Sequence, residues 1–144
     1  MTKEEYMDMY DVVGVAMEVY NTSGRGMAEP IYQEAMAKEF KRRDMKAERE
    51  KPLYTYYKDE LLDKIYYADF YYKDFVIELK SVEEVNSEHR TQLFNYMRIT
   101  KQHRGIHFNF GETSLHTERY LYLPQYDIFV LLNQDNYRDY INQE

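Results

Sequence analysis

Tyr66-Tyr67-Ala68-Asp69-Phe70-Tyr71-Tyr72-Lys73-Asp74-Phe75-Val76-Ile77-Glu78-Leu79-Lys80 is the stretch whose reading decides the fold. Two aromatic and β-branched runs flank Lys73-Asp74, the pattern of two strands joined by a tight turn. With a two-residue turn at Lys73-Asp74, Tyr72 pairs with Phe75 and Phe70 with Ile77. Asp69 then falls opposite Glu78. Lys80 lies two residues beyond Glu78 and shares its face, because side chains alternate along a strand. Opposed residues hold their Cβ atoms about 4.5–5.5 Å apart, where like charges repel. A cation between Asp69 and Glu78 would turn that repulsion into binding. Hard cations such as Mg²⁺ take oxygen ligands, usually one or two carboxylates with water and phosphate. A lysine beside the cation could hold a phosphate or orient a water. The simpler reading of the same residues is a solvated sheet face whose charges meet only water. A longer turn would shift the register and remove the pairing.

Working outward, residues 4–20 carry Met9, Val12, Val13, Ala16, Met17 and Tyr20 at helical spacing. Asn21-Thr22-Ser23-Gly24-Arg25-Gly26 breaks that helix. A second helix is expected over residues 28–43, with Pro30 tolerated only near its start. Ile31, Tyr32, Ala35, Met36 and Phe40 form its apolar stripe. Lys41-Arg42-Arg43 falls at its C-terminal end, where cations suit the helix dipole. Strands are expected over residues 47–57, 61–72 and 75–81, with Lys58-Asp59-Glu60 as the first turn. A helix over residues 87–100 follows, then a short buried strand in residues 105–111, ended by Gly111. Residues 119–123 and 128–132 are further elements, and periodicity does not decide whether the second is strand or helix. The order ααβββαβ implies an α/β sandwich around a mixed sheet, antiparallel in the middle, with a crossover helix before the last core strand.

The chain has 144 residues, enough for one domain with its own core, spanning 1–144. Its 31% charged residues with 44% hydrophobic residues fit a globular rather than a disordered chain. No apolar run approaches the roughly 18 residues of a membrane span, and the N-terminus shows no signal pattern. With no cysteine, disulfides and thiolate metal sites are excluded, and a cytoplasmic location is expected. The four histidines lack zinc-type spacing. The net charge of −7 argues mildly against strong nonspecific nucleic-acid binding, although local patches outweigh the sum. The 17 tyrosines could stack on bases, but half-buried strands also favour tyrosine.

Further residues extend the candidate site. Gly26-x-x-Glu29-x-x-Tyr32 sets a carboxylate at a helix start, where the dipole favours its ionised form. Gln92 and Tyr96, four apart, share one face of the later helix, with His89 on roughly the same face. Together with Tyr67-Ala68-Asp69, Val76-Ile77-Glu78-Leu79-Lys80, Gln92-Leu93-Phe94-Asn95-Tyr96 and Asn109-Phe110-Gly111, this set resembles the GxxExxY protein family of the PD-(D/E)xK nuclease superfamily. The similarity runs from about residue 12 to 132. Glu78-x-Lys80 matches the (D/E)xK signature, Asp69 its preceding acid and Glu29 the helix carboxylate. Gln92-x-x-x-Tyr96 resembles the QxxxY motif of RecB-type nucleases. No proline precedes Asp69, and Tyr67 stands where family members often carry arginine.

The resemblance implies a restriction-endonuclease-like αβββαβ sandwich and a Mg²⁺- or Mn²⁺-dependent hydrolase acting on phosphodiester bonds, with DNA favoured over RNA. It implies Asp69 and Glu78 as metal ligands, joined by the Leu79 backbone carbonyl and by Glu29, with Lys80 as the catalytic lysine. Gln92, Tyr96 and Tyr32 would position the substrate. Arg25, Arg90, Arg98 and Lys101 are candidate phosphate contacts. Two other readings stay open: an idle nucleic-acid-binding or protein-interaction module of the same fold, and a subunit needing a partner protein or a homodimer. No P-loop-type glycine pattern points to a nucleotide cofactor.

Overall fold

The computed structural model describes residues 1–142, so the last two residues of the expected 1–144 domain lie outside the described part. The elements run α1 (Lys3–Ser23), α2 (Glu29–Arg42), β1 (Glu48–Tyr57), β2 (Glu60–Tyr72), β3 (Phe75–Lys80), α3 (Ser87–Thr100), β4 (Arg104–Asn109), β5 (His116–Leu123) and β6 (Ile128–Leu132), then a short 3-10 turn at Tyr137–Tyr140. The six strands form one sheet in sequence order. Only β3 and β4 are parallel, joined by the α3 crossover; the other neighbours are antiparallel. This is the expected α/β sandwich around a mixed sheet, with β6 settled as a strand.

β3 shows why the hairpin decides the architecture. Phe75, Ile77 and Leu79 enter the core against α1 and α2, while Val76 enters the core against α3. A strand covered on both faces reads as a near-continuous apolar run, and Glu78 is the charged residue inside it. The two-residue turn and its register are as read from sequence: Tyr72 pairs with Phe75, Tyr71 with Val76 and Phe70 with Ile77. Lys73 takes φ 41° at that turn.

Some boundaries and faces differ from expectation. Helix α1 runs on to Ser23, and the break waits for Gly24, whose φ of 75° suits glycine. Its buried stripe is Met9, Val12, Val15, Ala16 and Val19, so Met17 lies on the solvent side, 51% exposed. Ile31 is likewise exposed, because α2 buries Tyr32, Gln33, Met36 and Phe40 instead. The first hairpin turns on Lys58-Asp59 alone, since Glu60 already pairs with Tyr57. Beyond its short pairing with β3, the β1–β2 hairpin projects as an arm that exposes Tyr54, Tyr56, Tyr57, Tyr66 and Tyr67. Among the described residues no helix is long and apolar enough to cross a membrane.

The far end of β4 fixes the segment that follows Lys80. Asn109 accepts from Val82 N–H at 3.0 Å and donates to Val82 C=O at 2.9 Å, imitating a strand neighbour with its side chain. The same oxygen accepts from Gly111 N–H at 3.1 Å. A Cβ on Gly111 would sit on the backbone of Val82. Gly111→Ala is therefore expected to destabilise the protein by about 1–3 kcal/mol through overpacking against immovable backbone. A urea denaturation midpoint equal to wild type would refute this.

Candidate active site

The β2–β3 ladder stops at Phe70 and Ile77. At the next position, where a backbone pair would follow, the side chains take over. Asp69 N–H donates to Glu78 Oε1 at 2.9 Å, and Leu79 N–H donates to Asp69 Oδ2 at 2.8 Å. Each carboxylate thus accepts from the backbone of the opposite strand. Strand faces also switch here. Phe70 packs with the α1–α2 core and Ala68 with the α3 core, although residues two apart in a regular strand share a face. On β1, Glu50 takes φ 51° at the matching point between the Arg49–Phe70 and Lys51–Ala68 pairs. The irregularity aims Asp69 at the end of β3 instead of up from a regular face.

Lys80 completes the group. Its Nζ lies 4.0 Å from Glu29 Oε2 and is the cation that opposes the negative charge of Asp69, Glu78 and Glu29. Glu29 reaches it because residues 24–27 are tied down. Tyr32, fully buried, donates to Gly24 C=O at 2.7 Å and accepts from Met27 N–H at 3.1 Å. Gly26 N–H donates to Phe110 C=O at 3.0 Å, and Ser81 Oγ donates to Met27 C=O at 2.5 Å. The Tyr32 hydroxyl is thus engaged with the loop before Glu29.

The electrostatics follow from burial and like charge. Burial pushes Glu78 well above its ordinary carboxylate value, and the charge on Asp69 adds to the push. Burial also raises Asp69, offset by the Leu79 N–H and Gln33. Glu29 is raised by burial, with Lys80 opposing. His107, the register partner of Glu78 on β4, offers no compensating cation. It is fully buried, burial lowers its pKa to about 4, and neither ring nitrogen has a partner among the described residues. The two carboxylates therefore carry an excess of proton affinity.

Such a donor set fits a hard divalent cation. All its donors are oxygens, and the Asp69 N–H goes to Glu78 Oε1, which leaves Oε2 outside that bond. Among those residues no three Asp, Glu, His or Cys side chains converge closely enough to cage a metal. Mg²⁺ needs only one or two carboxylates, because it keeps several waters. Asp69 and Glu78 could supply those two, while Glu29 lies beside Lys80.

The other candidates are placed as follows. Gln92 Nε2 donates to the Tyr96 hydroxyl at 2.9 Å, and that hydroxyl feels the charges of Glu78 and Asp69. His89 serves the start of α3, accepting from Asn86 N–H at 3.2 Å. Two expected phosphate contacts are spent elsewhere. Arg90 makes a two-pronged pair with Glu118 at 2.8 Å, and Arg98 pairs with Asp127. Arg25 and Lys101 are exposed. Sequence reasoning missed Gln33, which donates to Asp69 Oδ1 at 2.9 Å, and Arg49, which donates to Gln33 Oε1 at 2.7 Å. The available signal was Gln33 one helical turn beyond Glu29.

An acid whose pKa rises on folding binds more protons folded than unfolded, so its contribution to stability falls as pH rises above the unfolded value. Metal-free protein should therefore lose melting temperature as pH rises from about 4.5, the ordinary value of Glu78, toward neutrality. Glu78→Gln should flatten this fall, and Mg²⁺ should offset it in wild type only. Equal melting profiles for wild type and Glu78→Gln would contradict this assignment.

The chain matches the family described as PD-(D/E)XK nuclease superfamily over residues 7–133. No match was found among curated proteins or solved structures. The family match spans most of the chain and includes every residue placed around Asp69 and Glu78, so the chain belongs to the PD-(D/E)XK nuclease superfamily.

Proposed function

We propose that this protein is a Mg²⁺- or Mn²⁺-dependent nuclease that hydrolyses phosphodiester bonds of DNA. The observation that carries the reading is the reciprocal exchange between Asp69 and Glu78 at the end of the β2–β3 ladder, with Lys80 beside it. In this reading Asp69 and Glu78 hold the metal. The Leu79 carbonyl would be available as a third ligand: N–H and C=O of one strand residue point to the same side, and Leu79 N–H already points to Asp69. The bound metal would supply Lewis-acid stabilisation and an activated water.

The chain's own residues do the rest. Lys80, a compact cation on a half-buried stem, orients the attacking water and stabilises the charge that builds on the phosphorus oxygens. Glu29 holds Lys80 in place and completes the acidic shell through water. The Gln92–Tyr96 pair offers an amide and a phenol to the bound strand from the α3 side. Tyr32 acts one step back, by fixing the loop that carries Glu29.

Cleavage of labelled linear and circular DNA, single- and double-stranded with an RNA control, tests the proposal. Wild type should cut with Mg²⁺ or Mn²⁺ and stop in EDTA. Lys80→Ala and Asp69→Ala should each lose about 10²–10³-fold in rate, the size typical of removing one preorganised electrostatic group. Full activity in either variant, with its fold checked by circular dichroism, would end the assignment.

A further inference from the structure

The polar chain that ends on Asp69 begins on Arg49. Arg49 Nε donates to Gln33 Oε1 at 2.7 Å, and Gln33 Nε2 donates to Asp69 Oδ1 at 2.9 Å. The direction is forced, since a guanidinium can only donate and an ionised carboxylate can only accept. Gln33 is largely buried and cannot turn to serve solvent instead. The three residues line one cleft of about 460 Å³ together with Glu29, Pro30 and Glu50. That volume lies within the roughly 300–1,000 Å³ of ordinary ligand sites.

Two observations set Arg49 apart. Among the described residues Arg25, Arg42, Arg49, Arg119 and Arg138 have no carboxylate within salt-bridge distance, unlike Arg43, Arg90, Arg98 and Arg104, and of those five Arg49 is the one that lines the cleft with Asp69. Its Nε is pinned by Gln33, and its two terminal nitrogens make no hydrogen bond among those residues. The backbone also delivers it on purpose. Lys51, two residues on, lies over the Tyr71 ring on the α3 side of the sheet, while Arg49 turns to α2. The left-handed Glu50, at φ 51°, makes that switch. A non-glycine residue held there costs of order 1–3 kcal/mol and marks a conformation that the surroundings enforce.

Resting on the nuclease reading, we propose that Arg49 is a phosphate-binding residue. Its free fork takes a backbone phosphate next to the scissile one, and Gln33 couples that contact to the orientation of Asp69. A planar fork suits two phosphate oxygens at once. The carboxylates of Glu29, Glu50 and Asp69 in the same cleft repel a free anion. The ligand is therefore a polynucleotide strand anchored at a neighbouring position, not isolated phosphate. Gln33 is a positioning residue, because it acts through its two neighbours.

The test is binding of labelled single- and double-stranded DNA by fluorescence anisotropy across a salt series. It is run in EDTA and, on the Lys80→Ala background, in Mg²⁺. Arg49→Gln, at an exposed position, should weaken binding about tenfold at low salt, the scale of one charge-assisted hydrogen-bonded contact. It should also reduce the slope of log affinity against log salt by about 0.7–0.9, the share of one phosphate. A purely structural role would leave that slope unchanged, and an unchanged slope overturns the proposal. Gln33→Met should reproduce part of the loss, and the double variant should be no worse than Arg49→Gln. Additive effects would break the coupling. Absence of DNA binding by wild type in both conditions also overturns the proposal. Arg49-dependent binding without cleavage by wild type would keep this contact and remove the nuclease reading instead.

Discussion

The structure depends on one substitution: at the end of the β2–β3 ladder, two carboxylates replace backbone carbonyls as acceptors. Asp69 and Glu78 each take an N–H from the opposite strand. The exchange satisfies backbone donors that would otherwise be orphaned inside the protein. It also places two negative groups side by side where burial already opposes charge. Packing on both faces of β3 holds this arrangement against its own repulsion, with Phe70, Phe75, Ile77 and Leu79 on one side and Val76 on the other. The rest of the site is fastened to the same point: the loop before Glu29 through Ser81 and Phe110, and the loop after Lys80 through Asn109.

Away from the site, the buried charged residues Asp8, Arg104 and Glu118 are each paired. Glu118 accepts from Arg90, His116 and Tyr120, which hold its carboxyl near 2 despite burial. Asp8 meets Lys73, and Asp127 meets Arg98 and Tyr122. Around Asp69 and Glu78 the balance is left open, with Lys80 as the near cation and His107 neutral. The net charge of −7 is thus a poor guide to what the molecule binds. The sign of the field at one cleft matters more than the sum over the surface.

Much of this was legible in the chain. The two-residue turn at Lys73-Asp74 yields the hairpin register, by counting back from the Tyr72–Phe75 pair. That register alone places Asp69 beside Glu78. In the stripe of α1 Met9, Val12 and Ala16 face the core as read and Val13 and Tyr20 pack against it, but Met17 was taken for Val15 and Val19, since all three are apolar and periodicity alone does not say which faces the core. Arg90 looked as available as any surface arginine. Its partner Glu118 lies 28 residues away on β5, and only the fold brings them together. Gln33 and Arg49 escaped for the same reason, together with a backbone switch at Glu50 that no residue type announces. Glutamate is an unfavourable choice for a left-handed position, so nothing in the sequence marks it.

The two carboxylates are hard to explain as structure alone. A buried group of like charge weakens the fold that holds it, and well-packed apolar residues of similar volume usually do as well or better than buried ionic groups. A hydrophobic pair at Asp69 and Glu78 would continue the β2–β3 pattern, as Phe70 and Ile77 do one step earlier. It would leave two N–H groups to be met by a longer ladder, which the strands are long enough to supply. Instead the ladder ends early, the sheet faces switch at Asp69 and Glu50, and a lysine is aimed at the gap from the end of β3. The paired carboxylates and the face switches each cost stability, and they meet at neighbouring points of β1, β2 and β3. In the proposed reading a bound cation would offset that cost, and packing alone does not.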